Sequence, residues 1–128
     1  MYKELNLNPA GRRTTDCVIR AIAKVLDADW ETVYDAIAKE GRRTYDMMDA
    51  NHVWVRWLER HGFKLSSIPN TCPDCYTVSM FCKDHQNGTY ILCTGSHAVA
   101  VIDGDWYDSF DSGDAVPIFY LRRRYDGL

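Results

Sequence analysis

Residues 15–26 place apolar side chains on most sides of one helical segment. Val18, Ile19, Ala21, Ile22, Val25 and Leu26 cover it, and Arg20, Lys24 and Asp27 leave a single narrow polar stripe at helical spacing. A helix with so little polar surface is not stable lying on the outside of a domain, so the segment is expected to be central and largely buried. Thr14 or Thr15 is placed to cap it, and Asp16 in the first turn suits the positive end of the helix dipole. Whatever else the chain forms must pack around this helix.

Two further helices follow in the pattern. One runs from Asp29 or Trp30 to Lys39, with Trp30, Val33, Tyr34 and Ile37 on one face and Gly41 as its stop. The other covers about Asp49 to His61, with Trp54, Trp57 and Leu58 inward and Gly62 closing it. A short amphipathic helix fits Tyr76 to His85, ended by Gln86-Asn87-Gly88. Beyond it Thr89 to Cys93, His97 to Ile102, Asp105 to Phe110 and Val116 to Leu121 are short, β-rich and separated by Gly or Asp turns. Helices first and antiparallel strands afterwards predict an α+β domain.

The 128 residues suffice for one domain over 1–128 with its own core, and 26% charged residues with ordinary apolar content argue against disorder. A net charge of −3, with Arg12/Arg13, Arg42/Arg43 and Arg122 to Arg124 as separate clusters, reads as a solvated rim and not as a nucleic-acid surface. No window approaches the ~18 apolar residues of a membrane span. Met1 to Asn6 contain no apolar signal core, and five cysteines is an odd count. The expectation is therefore reduced thiols in a cytoplasm and not a disulfide framework. His52 and His61 on the third helix read as structural or solvent-facing.

Cys17, at the start of the central helix, faces the positive end of the macrodipole, which favours thiolate. His97 heads a strand, and Asp108 lies on the next one. If Asp103-Gly104 is a two-residue hairpin turn, Ile102 faces Asp105 and Val99 faces Asp108. His97 and Asp108 are then diagonal neighbours on one face, with Cβ atoms up to ~7–8 Å apart. A turn at Gly104-Asp105 would set Asp108 opposite Val101, too far from His97. The Asp-Gly pair favours the first register. Cys17, His97 and Asp108 are thus candidates for a nucleophile, its base and the acid that orients the base.

In these residues the chain resembles the papain-like cysteine peptidase superfamily, in which a cysteine opens a central helix packed on an antiparallel sheet. His97-Ala98-Val99-Ala100-Val101 is similar to the family's His-Ala-Val strand, and Asp108-Ser109-Phe110 to its Asn-Ser-Trp segment. The motifs span residues 14–26 and 97–110, and the element order spans the chain. The resemblance implies a papain-like α+β fold and a thiol hydrolase that acts on a protein or peptide through a thioester, without a cofactor. Two departures stand out: Val18 follows the cysteine where papain has Trp, and Gly11 stands six residues before it in place of the family's oxyanion glutamine. Asn8 or the hydroxyls of Thr14 and Thr15 are the substitutes in reach, together with the backbone N–H of Cys17.

A second constellation competes for attention. Cys72-Pro73-Asp74-Cys75, then Cys82 and His85, has the ligand types of a tetrahedral zinc site, and Cys82 and His85 share a face if 76–85 is helical. The alternatives are a redox dithiol or unrelated reduced thiols; Cys93, on a strand, reads as core. The rival to an enzyme is accordingly a binding module of the same fold, stapled by zinc at this cluster. Any metal is expected there and not on Cys17, whose sulfur must stay free to act as a nucleophile.

Overall fold

This computed structural model describes residues 1–124. In chain order the elements are β1 (Tyr2–Glu4), α1 (Cys17–Leu26), α2 (Trp30–Arg43), α3 (Asn51–Glu59), β2 (Phe63–Ser67), α4 (Val78–Asp84), β3 (Thr89–Cys93), β4 (Ala98–Ile102), β5 (Asp105–Asp108) and β6 (Phe119–Arg123). The fold is α+β: four helices and one six-stranded sheet in the order β1-β5-β4-β3-β6-β2. Every adjacent pair is antiparallel except β1 with β5, so the sheet is mixed and not purely antiparallel as expected. The parallel pair aligns Tyr2, Lys3 and Glu4 with Trp106, Tyr107 and Asp108.

The two central strands are buried on both faces, and alternation sorts their residues between two cores. Ile91, Cys93, Ala98 and Ala100 point to the side covered by α1, α2 and α3, where they meet Ile19, Ile22, Ile37, Trp54 and Leu58. Tyr90, Leu92, Val99 and Val101 point to the other side, against Val78, Phe81 and Cys82 of α4. Ala98 and Ala100 present only methyl groups to α1, so the helix lies close on β4. Glu40 of α2 pairs with Arg43 of its own helix and with Arg60 just after α3, tying the outer helices together.

The central helix is where the sequence pattern puts it, with Val18 to Ala23 and Val25 all buried. Arg20 departs from expectation: it belongs to the interior and not to a solvent stripe, at 4% exposure. Neither Thr14 nor Thr15 caps α1; Asp16 occupies the N-cap position, but its carboxylate turns to Arg20 and Trp30. Gly41 lies inside α2 and does not end it. A Cβ there would meet Asp46 O at 2.9 Å and Met48 Cα at 3.0 Å, so glycine admits the returning loop and terminates nothing. Tyr34 is more exposed than its predicted face implies, while Val33 and Ile37 are buried.

The hairpin between β4 and β5 has the register expected from Asp103-Gly104. Ile102 pairs with Asp105, Val101 with Trp106 and Ala100 with Tyr107. Asp103 and Gly104 carry φ of 50° and 84°, the two positive values that a type I′ turn requires. Strands β1 and β2 add to the expected set, one at each edge of the sheet; the last strand falls at 119–123, past Pro117.

Ile22→Ala removes a fully buried side chain between α1 and the sheet. It is expected to cost about 2–5 kcal/mol in urea unfolding, whereas Met47→Ala on the exposed loop changes stability little. Similar small effects from both would remove Ile22 from the core.

Candidate active site

Three elements bring one thiol, one imidazole and one carboxylate together. Cys17 is the first residue of α1, half-buried, and it lines one cleft together with His97 and Ala98. His97 sits at the mouth of β4, at the end of the turn from Thr94, whose N–H donates to His97 O at 2.9 Å. Gly95 in that turn has φ of 104°, and Asn51 Nδ2 at the start of α3 donates to its carbonyl at 3.0 Å. The turn that aims His97 is thus anchored to a helix.

His97 Nε2 donates to Asp108 Oδ2 at 2.6 Å, which leaves Nδ1 for the sulfur. Phe110 lies beside the imidazole, with ring centroids 5.0 Å apart. Asp108 ends β5 and is fully buried, yet every lone pair direction is used. Oδ2 also accepts from Ser112 Oγ at 2.6 Å, and Oδ1 accepts from Ser109 N at 2.8 Å and Arg20 Nη2 at 2.9 Å. Its backbone carbonyl accepts from Leu5 N at 2.8 Å and from the Tyr2 hydroxyl at 3.2 Å, so β1 clamps the end of β5.

These contacts set the proton affinities. Burial opposes ionisation of Cys17, but the hydrogen bonds from His97 and Ala98 N–H and the charges of His97 and Arg20 prevail and hold its pKa below the ordinary thiol value of 9.0. The hydrogen bonds to Asp108 and Cys17 raise His97 to about 9. Burial pushes the Asp108 carboxyl up, yet His97, Ser112 and Ser109 N–H outweigh it and keep the carboxylate ionised. Burial raises the Cys93 thiol and takes that of Cys82 to about 11, so these two are poor nucleophiles. The arrangement can hold a thiolate–imidazolium pair near neutral pH.

The thiol opens on a cleft of about 280 Å³, with Thr15, Asn51, Trp54 and Ser96 in its wall. Thr15, named from the sequence as an oxyanion candidate, lines this cleft. Asn8 does not. Its Oδ1 accepts from Ala10 N at 2.9 Å and Arg12 N at 3.4 Å, and the residue lines a neighbouring pocket of about 420 Å³. Asn8 is occupied with its own turn, as an Asx residue in a loop commonly is.

The zinc cluster is not assembled. Cys72 and Cys75 are joined in a disulfide, so the expectation of reduced thiols fails for this pair, and a disulfide offers no thiolates to a metal. Cys82 faces the α4 core, and His85 stacks on Phe81 at 3.8 Å while its Nδ1 bonds Phe81 O at 2.8 Å. No cluster of His, Cys, Asp or Glu among the described residues is arranged to hold a metal ion. His61 stacks on Trp57, and His52 pairs with Asp46.

Arg20, Ser112 and Asn51 escaped the sequence reading. Asp16 and Arg20 did carry a signal, an acid and a base one helical turn apart; Ser112 and Asn51 carried none, since their roles depend on where loops fold back. Comparison of the chain with protein-family models, with curated proteins and with solved structures finds no match. The chemistry of the site is read from its own atoms.

Cys17 should be the first of the free thiols to react with iodoacetamide near neutral pH, read as adducts mapped by mass spectrometry. His97→Ala returns it toward an ordinary thiol, a few per cent ionised at pH 7, and slows alkylation about tenfold; a folded Asp108→Ala slows it as well. Faster labelling of Cys82 or Cys93 would remove Cys17 from this role. The folded-state pKa of His97 lies above its ordinary 6.5. Its contribution to stability is therefore full below pH 6.5 and lost as pH rises through about 9. His97→Ala should flatten that part of the Tm–pH curve; an unchanged slope would separate His97 from the ion pair.

Proposed function

We propose that the chain is a papain-like cysteine-dependent hydrolase that cleaves an amide, isopeptide or related acyl bond of a protein or peptide. The observation that carries this reading is His97, held at Nε2 by the buried Asp108 carboxylate at 2.6 Å, in the wall of the same cleft as the Cys17 thiol. Support also comes from the element order: a cysteine opens the central helix, histidine heads the strand beneath it and the acid ends the next strand.

His97 Nδ1 takes the Cys17 proton, and the thiolate attacks the substrate's carbonyl carbon. A C–S bond forms as the carbonyl π electrons move to oxygen. That oxyanion faces the N-terminus of α1, where first-turn N–H groups, that of Cys17 among them, lack helical acceptors. Thr15 and Ser96 place side-chain hydroxyls in the wall of the same cleft. Collapse of the adduct breaks the C–N bond, and Nδ1–H protonates the leaving amine. Water, deprotonated by His97, then attacks the thioester and releases the acid, which regenerates the thiol. Asp108 stays ionised throughout; it fixes the imidazole tautomer and stabilises the imidazolium. No helix of the described residues is long and apolar enough to cross a membrane.

Mixing the protein with a library of activated peptide esters and 4-nitroanilides should give an acyl adduct on Cys17, visible by mass spectrometry and discharged by hydroxylamine. Cys17→Ala and His97→Ala should each lower kcat/KM by ~10³-fold or more. Ready alkylation of Cys17 without any acyl adduct across the library would overturn hydrolysis in favour of a binding module.

A further inference from the structure

Arg20 lies on α1 one turn after the thiol, with its guanidinium enclosed in the protein. Nη1 donates to Asp16 Oδ1 and Nη2 to Asp108 Oδ1, both at 2.9 Å, and Asp16 Oδ2 in turn accepts from Trp30 Nε1 at 2.9 Å. For holding a helix against a sheet this is a costly choice. Desolvating three charges is expensive, and a well-packed apolar side chain of similar volume commonly stabilises as much or more. Only a planar fork with fixed donors reaches both carboxylates at once.

We propose that Arg20 is the positioning and charge-setting residue of the thiol centre: clamped between Asp16 and Asp108, it locks the Asp108 carboxylate toward His97 and supplies the buried positive charge that sustains the Cys17 thiolate. The proposal rests on reading Cys17, His97 and Asp108 as one reactive centre. Positioning follows from how the oxygens of Asp108 are divided. Arg20 and Ser109 N–H occupy Oδ1, which leaves Oδ2 to His97 and Ser112 and prevents the carboxylate from turning.

The charge argument depends on every group around the sulfur. Asp16 and Arg20 come from α1, Cys93 from β3, His97 from the mouth of β4 and Asp108 from β5; Asp49 lines the cleft ahead of α3, and Tyr2 of β1 sits behind Asp108. His97 and Arg20 favour thiolate, while Asp16, Asp49 and Asp108 oppose it. Without Arg20 the acids outnumber the cations three to one, and the thiol ionises at higher pH. Arg20 also tempers the stabilisation of the imidazolium by Asp108, which lets the Nδ1 proton pass to the departing amine.

The test is the pH dependence of Cys17 alkylation by iodoacetamide, which reads thiolate and needs no hydrolysis. Arg20→Gln keeps a hydrogen-bonding side chain but drops the charge, and should move the midpoint up by about one pH unit, with alkylation about tenfold slower below it. Arg20→Lys keeps the charge and should restore most of the shift. A merely structural arginine would lower Tm in both variants and leave the midpoint in place; a folded Arg20→Gln with an unmoved midpoint, or Arg20→Lys shifted as far as Arg20→Gln, overturns the proposal. Should neither variant fold, Asp16→Asn is set against Asp49→Asn: both drop an acid that opposes the thiolate, but only the first frees Arg20, so it must lower the midpoint further, and an equal or smaller fall refutes the proposal. An ordinary thiol midpoint in the unsubstituted protein is a different result, and it overturns the reactive centre itself.

Discussion

The Asp108 carboxylate is the group on which the site depends. An ion of that size removed from water incurs a penalty of several kcal/mol unless its oxygens find donors. Here four donors reach it from different parts of the chain: His97, Arg20, Ser109 N–H and Ser112. Each donor needs its own element correctly placed, so one buried charge holds β4, β5, α1 and the loop after β5 to a common geometry. The parallel strand β1 adds the last restraint, since Leu5 N–H and the Tyr2 hydroxyl both close on the Asp108 carbonyl. An N-terminal strand whose Tyr2 lies 106 residues before Asp108 thereby fixes the carboxylate that holds His97.

The sheet prepares the other half of the site. Because β3 and β4 are covered on both faces, their alternating residues are divided between a helical side and an α4 side, and a slip of one residue would exchange them. His97 stands just before β4, in the wall of the Cys17 cleft together with Ala98. The small side chains at Ala98 and Ala100 let α1 pack closely on this strand. Cys93, on the neighbouring strand, faces the same cleft, yet burial keeps its thiol protonated while His97 and Arg20 act on Cys17. Two sulfurs in one cleft thus have proton affinities shifted in opposite directions by their surroundings.

Much of this is legible in the chain itself. The apolar excess of residues 18–26 made α1 central, and Asp103-Gly104 dictated a type I′ hairpin whose register carries Asp108 toward His97. The departures from expectation share a cause. Residue type and spacing do not settle Arg20, Asn8, Gly41 or the Cys72–His85 cluster, because each is decided by what the folded chain brings against it. Arg20 occupies a helical position indistinguishable from a solvent stripe until Asp108 arrives from 88 residues away. Gly41 resembles a helix stop until the loop at 46–48 packs on it. Cys82 and His85 have ligand spacing, but the apolar face of α4 draws both into aromatic packing.

Local pattern alone determined the elements that repeat: the three long helices, the short fourth, the central strands and the one tight turn. These follow from periodicity and from backbone preferences confined to a few residues. The edge strands β1 and β2, the pairing of β1 with β5, the interior place of Arg20 and the roles of Ser112 and Asn51 belong to the tertiary structure. A three-residue edge strand has too few positions for a period, and a polar side chain shows no sequence mark of its partner when that partner lies across the fold. The order of cysteine, histidine and aspartate was written in the chain; the lowered pKa of that cysteine arises, against the opposing effect of burial, from an imidazole, a backbone N–H and a guanidinium that only folding brings around it.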